Sequence, residues 1–336
     1  MVSEMKEKVV LPFDMNVYTK MYHHLAFFLG IVMGNSKKDI TPWLCDKFIN
    51  VRYFESNPNA KFGIVTGESW TSKQCVLFKQ SIILERDLYK IFDIDISNTM
   101  RKMLMQGYYI HGQYNEQYIP GKTSYDKKYF LHDYLLIGFD DNKECFISVG
   151  YLDDGKFQEY QIPYEAMREA ITSLSDDKIS IGFVGYDREF DFYCSLNKVK
   201  AGLYNYLNST SDTVAHSGDC FGLDAVKRLI LDFERRIAEQ VSLDIRFTRG
   251  VMEHKFIMHL RCRYMLNNGY IKSKLILDMA KRVYDMSEKI HMLALKYNIT
   301  QNANTAESVI SLLRETINEE ERYISLLLKE LEEYDV

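Results

Sequence analysis

The order of apolar and polar positions divides the chain into a strand-rich first part and a helical second part. Tyr134 to Phe139 is an apolar run closed by Asp140, Asp141 and Asn142, whose side chains satisfy nearby backbone groups in turns. Phe146 to Tyr151 and Lys156 to Tyr160 repeat the pattern around a second turn at Asp153, Asp154 and Gly155, which predicts an antiparallel meander. Upstream, alternation sets Tyr108, Ile110 and Gly112 on one strand face and Tyr109, His111 and Gln113 on the other, one of them facing the core. Between these strands, Tyr114 to Tyr129 carries Pro120, Gly121, Lys122 and Ser124 and reads as loop.

Helical spacing appears first in Asn16 to Gly34, where Leu25, Phe28, Leu29 and Val32 share one face. Pro163 opens a short helix with Glu165 and Glu169 on its polar side, and a strand-like stretch broken by Gly182 and Gly185 follows. Beyond it the periodicity predicts helices over Ser195–Leu207, Gly218–Gln240, Asp244–Asn267, Ile271–Tyr297 and Asn304–Glu333. In the last, Asn304 and Glu307 have the spacing of an N-cap and its N3 partner. Val309, Leu312, Leu313, Ile317, Ile324, Leu327, Leu328 and Leu331 form its apolar stripe. Helices of this length bury their stripes against one another, so the expected fold class is α+β. A helix packed on an antiparallel sheet (residues 1–190) precedes an α-helical bundle (191–336).

Bulk properties narrow the function classes. A 336-residue chain that is 46% apolar and 26% charged buries ordinary cores and is not disordered. Its longest apolar run, LAFFLGIVMG, is far short of the roughly twenty residues a spanning helix needs. A net charge of −5 speaks against nonspecific nucleic-acid binding, and nine acids against three bases from Asn304 onward read as a solvated helix face. Six scattered cysteines without a CxxC or a secretory leader point to reduced thiols and a cytoplasmic protein. Cys45 follows a Thr-Pro helix start, Cys75 lies in a strand-like run and Cys145 begins the second meander strand. Cys194, Cys220 and Cys262 fall in the helical half, and each of the six reads most simply as a small buried apolar residue. His254 and His259 are five apart, the wrong spacing for two ligands on one helix face, and no HExxH or phosphate-binding glycine loop occurs. No metal or cofactor is expected.

The chemistry-bearing position is His132, at the head of the first meander strand. An imidazole fixed there titrates near neutrality and can act as general base and then acid, although a packed structural histidine is the plain alternative. The segment KKYFLHDYLLIGFDDNKECFISVGY, with YYIHGQYNEQYIPGKTSYDKKYF before it, resembles the butirosin biosynthesis protein H family. Tyr118 to Pro120, His132 and Gly138 to Asp141 carry the match, which extends more faintly from about residue 8 to the end.

The resemblance implies a papain-like N-terminal domain similar to bacteriocin-processing cysteine peptidases. A nucleophilic cysteine would start the first long helix, paired with the strand histidine and an Asp or Asn on the next strand. Here the cysteine's place falls near Met21, and no cysteine precedes Cys45. A thioether forms no thiolate, so peptidase chemistry lacks its nucleophile. Of Ser148 to Gly150, where the third partner belongs, only Ser148 offers a side-chain acceptor.

Two readings follow. In the first, His132, assisted by Ser148, acts as base in acyl or peptidyl transfer from a carrier-protein phosphopantetheine thioester in secondary-metabolite assembly. Met21, Tyr22, His23 and His24 then line the opposite wall, the first-turn N–H groups hold an oxyanion, and Tyr118 and Tyr125 line the pocket. In the second, a catalytically degenerate relative binds the carrier protein or a pathway enzyme without chemistry. Neither reading involves nucleic acid or membrane, and self-association through the C-terminal helices is open to the chain.

Overall fold

A computed structural model describes residues 7–57, 61–66, 77–174, 180–213 and 215–334. In chain order the elements are β1 (Lys8–Val10), α1 (His23–Asn35), α2 (Thr41–Cys45), β2 (Asn50–Tyr53), β3 (Phe62–Val65), β4 (Phe78–Glu85), α3 (Arg86–Ile91) and α4 (Ile96–Met105). They continue with β5 (Tyr109–Asn115), β6 (Leu131–Asp140), β7 (Cys145–Tyr151), β8 (Phe157–Pro163), α5 (Tyr164–Thr172) and β9 (Ser180–Tyr186). The remainder is α6 (Leu196–Leu207), β10 (Cys220–Phe221), α7 (Gly222–Ala238), α8 (Ile245–Asn267), α9 (Lys274–Thr300) and α10 (Ala303–Tyr334). The fold is α+β, with an antiparallel sheet and C-terminal helices. Among the described residues no helix is long and apolar enough to cross a membrane.

Two compact units divide the chain, residues 1–37 with 68–190 and residues 38–67 with 191–336. The division near residue 190 coincides with the end of the strand-rich part. Residues 38–67, expected in the first domain, instead belong to the second. The reason is polar burial. In α8 the guanidinium of Arg261, fully buried, donates to the Cys45 and Lys47 carbonyls, each at 2.7 Å, and His254 Nε2 lies 2.8 Å from the Ile49 carbonyl. A buried cation needs such acceptors, and this segment supplies them.

The first unit is built on the sheet β4-β9-β5-β6-β7-β8, antiparallel at each pairing, with β1 also pairing β6. Ile110, Tyr114, Tyr134, Leu136, Phe146 and Ile162 pack with Met100 and Leu104 of α4 and with Met167 and Ile171 of α5. The opposite face is equally dry: Tyr109, Leu135 and Val149 are buried, and the Tyr109 hydroxyl accepts from Asn35 at the end of α1 at 2.6 Å. Both faces of β5 are therefore core, where one was expected.

The α1 helix starts at His23 rather than Asn16. Between Val17 and His23 burial alternates, with Val17, Thr19, Met21 and His23 inside, which is a period of two that a helix cannot satisfy. Within α1, Leu25 to Val32 are all buried, so the helix is core on every side.

In the second unit β10, β2 and β3 form a small antiparallel sheet, and α8, α9 and α10 run as successive helical hairpins. Their spans match the sequence periodicity closely. The α10 cap is Asn302, whose Oδ1 accepts from Thr305 N at 3.1 Å, in place of the expected Asn304. Inside this unit Lys255 and Glu320 form a 2.7 Å ion pair with both side chains sealed from solvent, and the Tyr206 hydroxyl donates to the same carboxylate oxygen at 2.7 Å.

Gly138 lets β1 lie beside β6. A Cβ there would stand 2.2 Å from the Val9 carbonyl oxygen, a backbone atom with no rotamer to escape by. Gly138→Ala is expected to lower stability by about 1–3 kcal/mol, as overpacking does. Urea unfolding followed by circular dichroism checks this, and an unchanged midpoint refutes it.

Candidate functional site

The site grows from the junction of β5 and β6. His132 is the second residue of β6 and pairs in register with Tyr114 of β5, after which Asn115 ends that strand. The Asn115 Oδ1 accepts from the N–H of Gln117 and from that of Phe130, each at 3.1 Å, so one side chain ties the departing strand to the arriving one. The Gln117 bond is an Asx-type cap, and it starts a one-turn 3-10 helix, Glu116–Tyr118. Glu116 is thereby carried beneath the histidine, its N–H donating to the Phe130 carbonyl at 2.9 Å.

The Glu116 carboxylate is buried, and its Oε1 lies 2.6 Å from His132 Nδ1. An ionised carboxylate only accepts, so Nδ1 carries the hydrogen and Nε2 keeps its lone pair. The His132 side chain is 37% exposed, so the ring is open to solvent on one side. Lys122 Nζ sits 3.8 Å from the same carboxylate oxygen, donates to the Tyr151 carbonyl at 2.6 Å and lies 4.7 Å from the Tyr160 ring centroid. Carboxylate, imidazole and amine thus meet in one cluster.

Across from His132 stands His23, the first residue of α1, with ring centroids 4.5 Å apart. Its Nε2 accepts from the Tyr151 N–H at 3.2 Å, which places the hydrogen of the neutral ring on the buried Nδ1. Burial holds the His23 pKa well below the usual imidazole value, and the neighbouring His132 and Lys122 add to the depression. The ring packs on Phe27 and Tyr151 at 5.0 and 5.6 Å.

The residues expected at the site separate clearly. His23 and His132 meet. His24 is exposed and stacks on Tyr22 at 5.7 Å, consistent with the roughly 100° between successive helical side chains. Met21, where a nucleophile was expected, is a buried core residue, and it is His23 that faces His132. Tyr118 packs against the sheet core, while Tyr125 lies exposed on the following turn with its N–H bonded to the Lys122 carbonyl at 3.0 Å.

Ser148 is not the orienting partner of His132. It is fully buried, pairs with Leu136 further along β6, and its hydroxyl donates to the Leu135 carbonyl at 2.9 Å. Glu116 occupies that role. The sequence reading missed Glu116 and Lys122, although an Asn-Glu pair just where an aromatic strand gives way to a loop was their one local signal. Cys145 pairs with Asp140 at the far end of β6, Cys45, Cys194, Cys220 and Cys262 belong to the second unit, and Cys75 lies outside the described residues. Among the described residues, no three His, Cys, Asp or Glu side chains converge as a metal ion requires.

No family model matches the chain, and no curated protein matches it significantly.

The depressed imidazoles set a pH dependence. His23 and the fully buried His254 stay neutral in the folded chain, whereas both protonate near pH 6.5 once unfolded. The unfolded state then binds more protons, so their contribution is complete above about pH 6.5 and is lost as the pH falls below it, by up to about 1.4 kcal/mol per pH unit for each ring. Urea midpoints measured from pH 7.5 to 5 are expected to fall, with a shallower fall in His23→Gln. Equal slopes for the two proteins would show that His23 protonates freely in the folded state.

Proposed function

We propose that the first unit is a papain-like domain in which His132, oriented by Glu116, is the general base of acyl or peptidyl transfer from a carrier-protein phosphopantetheine thioester. The observation that carries this reading is the 2.6 Å contact between a buried carboxylate and Nδ1 of a ring that is 37% exposed. A thioester is already activated, so the chain need not supply a thiolate of its own. An acceptor amine attacks the carbonyl while Nε2 takes its proton, and the Glu116 carboxylate stabilises the imidazolium that results. When the tetrahedral intermediate collapses, the carrier thiolate leaves and recovers that proton from His132. Water in place of the amine gives hydrolysis by the same steps. His23, neutral beside the site, adds no competing positive charge. The assignment to secondary-metabolite assembly, which rests on the sequence resemblance, and that to the cytoplasm, which rests on the scattered cysteines, are part of this proposal.

A second reading has its own support. An imidazole whose Nε2 is already occupied stands at the helix start where the resemblance implies a nucleophilic thiol. A degenerate relative that binds a carrier protein and orders the assembly without chemistry fits that substitution.

Incubation with acyl-carrier thioesters, followed by mass spectrometry of the carrier, distinguishes the two. The enzyme reading expects turnover that falls about 10²–10⁴-fold in His132→Ala, the range of a lost general base, and that falls less in Glu116→Gln. Iodoacetamide is expected to leave activity intact, and inactivation mapping to one cysteine would restore a thiol mechanism. Carrier binding without turnover, unaffected by His132→Ala, favours the scaffold.

A further inference from the structure

Within the second unit, the last two turns of α8 and the segment that enters α2 form the walls of a cleft of about 630 Å³. Leu260, Arg263, Tyr264 and Asn267 line it from α8, at the three- and four-residue steps that put side chains on one helix face. Asp39, Thr41 and Pro42 line it from the other element. Small-molecule sites have volumes of roughly 300–1,000 Å³, and this cleft falls among them.

The cleft carries both signs of charge, and they do not neutralise each other. Arg263 is exposed and forms no hydrogen bond or ion pair among the described residues. Asp39 is fixed from one side, its Oδ1 accepting from the Thr41 N–H at 2.9 Å and from the Thr41 hydroxyl at 2.6 Å. Its second oxygen, Oδ2, has no partner among the described residues. A cation and an anion thus line one cleft from separate elements without meeting. Asn268 spends its amide on the Tyr264 carbonyl at 2.9 Å, whereas the Asn267 amide and the Tyr264 hydroxyl are unspent among the described residues.

We infer that this cleft is a binding site for a free α-amino acid with an apolar side chain. Charge selects the class. One cation and one anion in the walls match a ligand that is neutral overall and carries both charges, whereas a dianion is opposed by Asp39 and a dication by Arg263. The guanidinium offers paired N–H donors in the fork geometry that a carboxylate accepts, and the Asn267 amide, one turn along the same face, adds a donor. Asp39 Oδ2 accepts from the ligand's ammonium. The Thr41 bonds hold that carboxylate beforehand, so less freedom is lost on binding. Leu260, which is buried, and the Pro42 ring supply an apolar surface for the side chain. The site lies wholly within the second unit and does not depend on His132.

The test titrates the full-length protein by ligand-observed NMR, to about 10 mM, with L-leucine, with isocaproate, which lacks the ammonium, and with isopentylamine, which lacks the carboxylate. Leucine is expected to bind, and each analogue to bind about tenfold more weakly or worse, the cost of a lost charge-assisted hydrogen bond. Arg263→Gln and Asp39→Asn are each expected to weaken leucine by about the same factor with unchanged circular dichroism, since the asparagine keeps an acceptor for Thr41. If either variant fails to fold, the three ligands compared on the wild-type protein decide. No leucine binding in that range, either analogue binding as tightly as leucine, or an unchanged leucine affinity in either folded variant overturns the proposal.

Discussion

A carboxylate inside a protein needs compensating charge, and the position of Glu116 between His132 and Lys122 is the contact on which the rest of the site depends. It fixes the tautomer of His132, because a carboxylate can only accept. It also holds the segment after β5 in place, since Lys122 answers the same oxygen while donating to the Tyr151 carbonyl. That segment is consequently no loose loop. Ile119 reaches the sheet core, and Lys122 and Ser124 are buried. The Asn115 clamp is the local device that makes the arrangement available, by joining the end of β5 to the start of β6 before either side chain is placed.

The second unit solves a similar problem with different partners. Arg261 is answered by main-chain carbonyls from residues 45 and 47, and Lys255 by Glu320 and Tyr206. Buried ion pairs of this kind add little net stability, yet loss of one member leaves an uncompensated charge that costs about 3–5 kcal/mol. They join α8 to α10 through Lys255 and Glu320, and α8 to residues 45 and 47 through Arg261.

Features that depend on local periodicity were readable from the chain. The spans of α6 to α10 and of the meander β6-β7-β8 follow from side-chain spacing and turn residues, because burial of one face dictates both. Features that depend on distant partners were not. The start of α1 was misplaced because the apolar residues of 17–23 alternate, and their residue types alone do not choose between a strand and a helix face. Residues 38–67 were assigned to the wrong unit because their role is to offer backbone carbonyls, groups that every residue type carries. His132 stood out through its strand and its flanking motif. Glu116 did not, since its importance comes from the turn Asn115 creates, and Ser148 was chosen by counting along β7 to the one side chain there able to accept, although it pairs with Leu136 and not with His132.

The interleaving of the two units has a consequence for how the polypeptide is made. Emerging from the ribosome, residues 38–67 carry Trp43, Leu44, Phe48 and Val51, all buried in the finished protein, but the arginine and histidine that receive their carbonyls lie in α8. The first unit therefore completes its sheet with an apolar stretch from its own middle still unpaired. That stretch gains its partners in α8 only once the helical half has been translated.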